Sequence, residues 1–312
     1  MPIDPQIDAM LGAAPPWPGV RNVPLDTLRQ SVRDSSIAIP PAQDAIVSVV
    51  EDRTIPGPGG ALPIRIYTPL GQGPFPVTLY MHGGGYVVGD LDTQDMIARA
   101  LCAWAGTLLI SVDYRLAPEH PFPAAPDDTY AALEWVAENG GELGGDVSRI
   151  ALAGDSAGGN LACAAALRAR DHDGPALRAV IDIYGPCTYP FAETASSREF
   201  AQGPILTQDD VAWFWEQYLA DPGTQKVDPQ ASPVLAETLA GFPPCFVATA
   251  ECDPSRDDAE AFAARLAEEG VEVIAKRYPG MVHGFASWVG FLPGARDVLN
   301  DAAQFLKAHF SS

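Results

Sequence analysis

Positive charge is scarce in this chain. Its 312 residues carry 19 Lys and Arg against 40 Asp and Glu, a formal net charge of −21. A protein that grips a phosphate backbone needs a basic face, so nucleic-acid recognition is disfavoured, and so is an anionic membrane surface. Cysteine is also sparse. Cys102, Cys163, Cys187, Cys245 and Cys252 are odd in number and form no C-x-x-C pair, which points to free thiols in a reducing compartment. No apolar run approaches the ~18 residues that a membrane span requires. The amino-terminal Met1-Pro-Ile-Asp-Pro-Gln has neither the basic nor the apolar stretch of a secretory signal, so a soluble cytoplasmic protein is expected. Walker A, H-E-x-x-H, a Cys/His zinc set and a dinucleotide fingerprint with its downstream acid are all missing, which leaves no cofactor or metal to expect.

What remains is ordinary globular material, 47% hydrophobic and 19% charged, in a chain long enough to bury a core without staples. Thirty prolines and twenty-nine glycines punctuate it without repeat or low-complexity tract. Between them lie eight segments with strand character, at 46–53, 62–68, 76–81, 107–113, 149–154, 178–184, 244–250 and 271–278. The central ones, such as Thr107-Leu-Leu-Ile-Ser-Val and Arg149-Ile-Ala-Leu-Ala, are continuous apolar runs, the pattern of strands covered on both faces. The first two are polar-flanked and close together, which suits an antiparallel edge pair. From the third onward, strands alternate with helical stretches at 92–105, 127–138, 157–170, 255–269 and 294–309. That rhythm predicts a doubly wound α/β sheet, eight-stranded and mostly parallel, with helices on both faces. Two regions stand outside it. Residues 1–45 carry Trp17, Leu25 and Leu28, and residues 187–232 include Val211-Ala-Trp-Phe-Trp-Glu-Gln-Tyr. An insertion that long and aromatic suits a helical cap, although such aromatics also bury against a core. The expected organisation is an amino-terminal cap segment (1–45), a core in two parts (46–186 and 233–312) and a cap insertion (187–232).

The chemistry concentrates at strand ends. Gly154-Asp-Ser-Ala-Gly158 fits G-x-S-x-G, directly after one apolar strand and before the helical run Leu161-Ala-Cys-Ala-Ala-Ala-Leu. A serine on a sharp strand-to-helix turn is lifted above the sheet, its neighbours must be small where the chain crowds itself, and the helix amino terminus offers donors. His82-Gly-Gly-Gly-Tyr86 follows the third strand. Three glycines carry an entropic cost that makes sense where backbone must approach a ligand, and a loop there supplies amide donors to an oxyanion together with the amide of the residue after the nucleophile, Ala157. His82 itself suits a structural hydrogen bond better than a base. Of the other histidines, His172 lies in a charged tract, His309 on the last helix and His120 in a proline-rich turn. His283, in Gly280-Met-Val-His-Gly-Phe, follows the eighth strand at the carboxyl edge where ligands bind. The acid belongs between serine and histidine, after the seventh strand. Of Glu251, Asp253, Asp257 and Asp258, Asp253 leads because it sits just past the strand with Pro254 fixing the turn, and Glu251 is second. Asp257 and Asp258 fall in a first helical turn, where acids favour the dipole. Asp127-Asp128 and Asp209-Asp210 are explained as helix caps.

Together these residues resemble the hormone-sensitive-lipase family of α/β-hydrolases, the microbial carboxylesterases of family IV. The match comprises His82-Gly-Gly-Gly-Tyr86, Asp113-Tyr-Arg-Leu-Ala-Pro-Glu-His-Pro-Phe-Pro-Ala-Ala125, Gly154-Asp-Ser-Ala-Gly-Gly-Asn160, Asp253-Pro-x-x-Asp257 and His283-Gly-Phe285, in family order from about residue 60 to the end. The resemblance implies Ser156 as nucleophile, Asp253 as acid, His283 as base, and the amides of Gly84, Gly85 and Ala157 as the oxyanion hole. It makes Asp113, Arg115 and Glu119 structural braces behind the site. Two departures stand out: Ser255 replaces the leucine usual after Asp-Pro, and Tyr86 stands where many relatives have Trp or Phe, which bears on the acyl pocket.

The expected protein is a serine carboxylesterase that hydrolyses short-to-medium-chain esters of small molecules through an acyl-enzyme, with neither nucleic acid nor membrane as partner. An amidase, lactonase or carbamate hydrolase with the same triad is the nearest rival. A ligand-binding relative, as in the plant gibberellin receptors, would lack the histidine kept here. The resemblance further implies a homodimer through the last strand and helix, around residues 271–310.

Overall fold

The computed structural model describes residues 2–14, 18–190 and 193–311; Trp17, counted above in the amino-terminal segment, lies outside them. Strands form where the apolar runs require them: β1 (Val47–Gly57), β2 (Gly60–Pro69), β3 (Phe75–Met81), β4 (Leu108–Val112), β5 (Gly145–Asp155), β6 (Leu177–Ile183), β7 (Cys245–Cys252) and β8 (Val273–Val282). They build one sheet in the order β1-β2-β4-β3-β5-β6-β7-β8. β2 is antiparallel to both β1 and β4, and every other pairing is parallel. The helices are α1 (Pro5–Ala13), α2 (Leu25–Ile37), α3 (Asp95–Ala105), α4 (Ala124–Asn139), α5 (Ala157–Asp171), α6 (Ala195–Glu199), α7 (Gln208–Tyr218), α8 (Pro222–Gln225), α9 (Arg256–Glu268) and α10 (Pro293–Phe310).

Side-chain alternation along the buried strands feeds two apolar layers. On one face, Val77, Leu79, Ile150, Leu152 and Val247 pack with α4, α5 and α9; on the other, Tyr80, Ala151, Ala153, Phe246 and Ala248 pack with α3 and α10. β4 and β7 are buried along their whole length, as strands covered on both faces must be. The parallel strands β3, β5, β7 and β8 all point the same way. Their carboxyl ends therefore deliver the triple-glycine loop, Ser156, Asp253 and His283 to one rim of the sheet.

The two regions outside the rhythm attach at separate places. Residues 1–45 hold α1, a short turn of 3₁₀ helix at Val20–Asn22, and α2; residues 187–232 hold α6, α7 and α8. The 3₁₀ turn is fastened to α7. The Arg21 guanidinium meets both carboxylate oxygens of Glu216 at 2.7 Å and Asp209 at 2.9 Å, and the Val20 N–H donates to Asp210. Asp210 also closes the capping box with Thr207, as its place at a helix start suggests. The Arg29 side chain of α2 donates to the Val87 and Ala117 carbonyls and forms a two-bond pair with Glu119, bracing the chain behind the glycine loop. α1 instead lies beside β8, where Asp4 N–H donates to Gly280 O and Ile7 is buried. One expectation needs correction. α4 begins at Ala124, a turn earlier than 127, so capping does not account for Asp128; it is buried and takes three hydrogen bonds from Arg115. Among the described residues no helix is long and apolar enough to cross a membrane.

Candidate active site

Ser156 occupies the sharp turn between β5 and α5 with φ +53° and ψ −124°, a left-handed conformation that side chains other than glycine rarely adopt. The turn closes so tightly that a Cβ on Gly154 would lie 2.1 Å from Gly158 O, which is why this motif brackets its serine with glycines. The Ser156 N–H donates to Ile183 O at 2.8 Å, pinning the turn to the end of β6.

Ser156 Oγ lies 2.8 Å from His283 Nε2, and His283 Nδ1 lies 2.6 Å from Asp253 Oδ2. A carboxylate can only accept, so Nδ1 carries the proton and Nε2 is free to accept from the serine. Burial pulls the imidazole's pKa down, but the Asp253 charge and hydrogen bond, with the Asp155 charge behind them, outweigh it, and the net direction is upward. The second Asp253 oxygen takes the Ser255 N–H at 2.8 Å, which fixes the carboxylate plane. The other acids of the loop are engaged elsewhere. Glu251 accepts from the Gly280 N–H, and Asp257 exchanges hydrogen bonds with Ser196 of α6, so it anchors the insertion to the core. Asp258 is half-buried, and burial with the charges of Asp257 and Asp253 pushes it up to about 7. The remaining histidines stay apart: His172 and His309 each bond the carbonyl one turn back, and His120 is exposed.

The glycine loop is the second half of the site. Gly84 has φ +127°, and a Cβ there would fall 2.0 Å from Val88 O, so no other residue fits without moving the chain. Among the described residues no acceptor takes the N–H of Gly84, Gly85 or Ala157. All three line the same cavity as Ser156, and the last opens α5, whose dipole adds positive potential. His82 is buried and stacked on Tyr114 at 4.3 Å, its Nδ1 donating to Gly83 O. Burial lowers it to about 4, so it stays neutral and shapes the loop, as its position suggests. Behind the loop, Arg115 and Glu119 brace as expected. The Asp113 carboxyl is instead half-buried near Asp90 and Asp92, and burial with their charge pushes it up to about 6.

A cavity of about 160 Å³ opens over Ser156 and His283. Leu206, Val211, Phe214 and Trp215, from α7 and the chain just before it, form its apolar wall. Tyr86 lines it too, stacked on Tyr218 with ring centres 3.7 Å apart, and Ser255 contributes a polar edge. Phe214 packs so close to Gly85 that a Cβ there would meet the ring at 2.3 Å, so α7 rests directly on the glycine loop. Sequence reasoning finds the aromatic run but not which of its members face the site, since Trp215 and Tyr218 are also buried. It passes over Asp155 entirely, treating it as the variable position of the motif. A carboxylate placed between the apolar run Ile150-Ala-Leu-Ala-Gly154 and the serine is the signal it neglects.

One further group has metal-ligand chemistry: the donor atoms of Cys163, Asp182 and Cys187 lie within 4.8 Å of one another. Cys187 Sγ donates to Asp182 at 3.3 Å, and burial holds the Cys187 thiol and the Asp182 carboxyl in their neutral forms. All five cysteines are free and buried.

Comparison with known proteins places this geometry. The family model for the alpha/beta hydrolase fold matches residues 78–287. Carboxylesterase NlhH of Mycobacterium tuberculosis is 42% identical over 83% of this chain and 82% of its own length. Ethyl acetate hydrolase of Pseudomonas putida is 34% identical over 91% and 90%. Among solved structures, a hyperthermophilic esterase from the archaeon Pyrobaculum calidifontis superposes with a TM-score of 0.90, at 39% identity, over 99% of both chains.

Proposed function

Because this chain belongs to the hormone-sensitive-lipase-like family of α/β-hydrolases, we propose that it is a serine carboxylesterase acting on short-to-medium acyl esters of small molecules. The observation that carries the reading is the continuous hydrogen-bonded line from Asp253 through His283 to Ser156, ending in an apolar cavity beside three unclaimed amide donors. In this reading Ser156 attacks the ester carbonyl while His283 Nε2 takes its proton. The N–H groups of Gly84, Gly85 and Ala157 hold the oxyanion, where preorganised donors contribute most. His283 then returns the proton to the departing alcohol, leaving an acyl-serine. Water, activated by the same histidine, releases the acid. Asp253 keeps the imidazole in the tautomer that can accept and stabilises its charged form. The lid is the 187–232 insertion, with the 3₁₀ turn of the 1–45 segment clamped to α7.

Cavity size supports the acyl range. A dry apolar cavity of about 150 Å³ takes a benzene-sized guest, so a site of about 160 Å³ suits an acyl group of few carbons. The relative named for ethyl acetate, a two-carbon acyl ester, agrees with that scale. On p-nitrophenyl esters from acetate to palmitate, kcat/KM should peak among the short chains and fall steeply toward palmitate. A peak at palmitate contradicts the acyl range; silence on every ester, with turnover of amides or lactones, contradicts the esterase reading.

The histidine sets the pH dependence. Its direction is upward from the ordinary 6.5, and the protonated form cannot accept from Ser156. Activity should therefore be full above the raised value and be lost as pH falls through it. A kcat/KM profile with its acid limb below 6.5 contradicts that assignment.

A further inference from the structure

We propose that Asp155 is a positioning residue of this site: its carboxylate ties the nucleophile turn to the oxyanion loop, and its charge supports the His283 imidazolium. The proposal rests on the esterase reading above and adds a residue to it. Asp155 ends β5 immediately before Ser156 and is 2% exposed. Its Oδ1 accepts from the Tyr80 hydroxyl at 2.5 Å and from the Gly83 N–H at 2.9 Å. β3 and β5 are paired neighbours, so one oxygen bridges the residues that begin the glycine loop and the serine turn. Contact is close on the other oxygen as well, because a Cβ on Gly83 would lie 2.5 Å from Oδ2. Gly83 directly precedes Gly84. The distance from Ser156 Oγ to the expected oxyanion donors is therefore set through Asp155, and a displacement of about 1 Å in such a frame can cost on the order of 10²-fold in rate.

A bridge between loops could be made by a neutral side chain. The surroundings give the charge its own part. The titratable groups facing Asp155 are Tyr80 from β3, Tyr114 from the chain after β4, Tyr184 from the chain after β6, and His283 from the chain after β8. Burial and the nearby acid push all three phenols well above their ordinary range, so they stay neutral. Of these neighbours, only His283 can become positive. His283 in turn faces two carboxylates, Asp253 by hydrogen bond and Asp155 through space, together with the Tyr184 ring at 5.0 Å and the Ser156 hydroxyl. Burial raises Asp155 to about 6, below the pH at which the histidine must act as base, so the acid is ionised when the site works. The proton moved from Ser156 thus arrives beside two negative charges.

Two variants separate the roles. Asp155→Asn keeps the shape and an acceptor oxygen for Tyr80 and Gly83 but removes the charge; Tyr80→Phe removes one hydroxyl and keeps the charge. Each is compared with wild type for kcat and KM on p-nitrophenyl butyrate across the pH range, for thermal melting, and for hydrogen exchange of the Gly83 amide. For Asp155→Asn we expect kcat to fall about 10- to 100-fold, KM to change little, and the acid limb to move to lower pH, since the imidazolium has lost a neighbouring charge. For Tyr80→Phe the limb stays in place while kcat falls a few-fold and Gly83 exchanges faster. An Asp155→Asn enzyme with wild-type kcat and an unmoved limb overturns the proposal. Should that variant not fold, Tyr80→Phe with wild-type kcat and unchanged Gly83 exchange overturns it equally. The esterase reading fails separately, when wild type itself hydrolyses no ester; the exchange measurement still reports the bridge in that case.

Discussion

Ser156→Ala should fold, melt within a few degrees of wild type and lose on the order of 10⁵-fold in kcat/KM on any p-nitrophenyl ester. The stability side follows from the contacts. Ser156 Oγ has one hydrogen bond, to His283, and losing one such bond costs about 1 kcal/mol. The left-handed backbone at φ +53° is held by Gly154, Gly158 and the Ile183 carbonyl, none of which the substitution touches. The activity side follows from the proposed chemistry. Without Oγ no acyl-enzyme forms, and what survives is water attack assisted by His283 and the amide donors. That residue of catalysis should saturate with substrate, because the cavity is intact. A variant that keeps wild-type kcat would remove Ser156 from the mechanism, whatever the family resemblance.

Asp253→Asn should lower kcat by about 10⁴-fold while leaving KM near wild type. The reason is the tautomer. Asp253 accepts from His283 Nδ1, so Nε2 stands unprotonated and faces Ser156. An asparagine amide can turn its NH₂ toward Nδ1, which makes Nδ1 the acceptor and moves the proton to Nε2. The histidine is then present, well placed and unable to take the serine's proton. Glu251→Gln is the matched control. Glu251 also ends the seventh strand, but its carboxylate is occupied by the Gly280 N–H and no bond joins it to His283. Glutamine keeps that acceptor, so kcat should stay within a few-fold of wild type. If Glu251→Gln instead shows the large loss and Asp253→Asn the small one, the acid has been misassigned.

Much of this architecture is legible in the sequence because burial on both faces leaves strands no polar alternative. Leu108–Val112 and Cys245–Cys252 are mostly apolar and fold as fully covered strands. The alternation of such strands with helical stretches forces parallel crossovers, which gather Ser156, Asp253 and His283 at one rim. Those residues are legible for a related reason: each lies directly past the carboxyl end of a strand. What sequence reasoning misses lies between elements distant along the chain. The clamp of Arg21 on Glu216 and Asp209 spans nearly two hundred residues, and neither end differs from an ordinary surface charge. Asp128 looks like a helix cap until Arg115, on the preceding loop, is seen to claim it. Asp155 is hidden by the motif itself, because attention goes to the serine and the glycines around it. Local pattern reports burial and strand ends; pairings of charge across the fold depend on packing that the pattern does not encode.

The central claim is that Ser156 carries the acyl group, and intact-protein mass spectrometry tests it most directly. Wild type and Ser156→Ala are mixed with p-nitrophenyl acetate, quenched in acid within the first turnovers, weighed and digested. The account predicts one acetyl group per wild-type molecule, located on the peptide containing Gly154-Asp-Ser-Ala-Gly158, with a matching burst of p-nitrophenol, and none on the variant. Steady hydrolysis by wild type with no adduct and no burst, or an adduct on another residue that persists in Ser156→Ala, would contradict it.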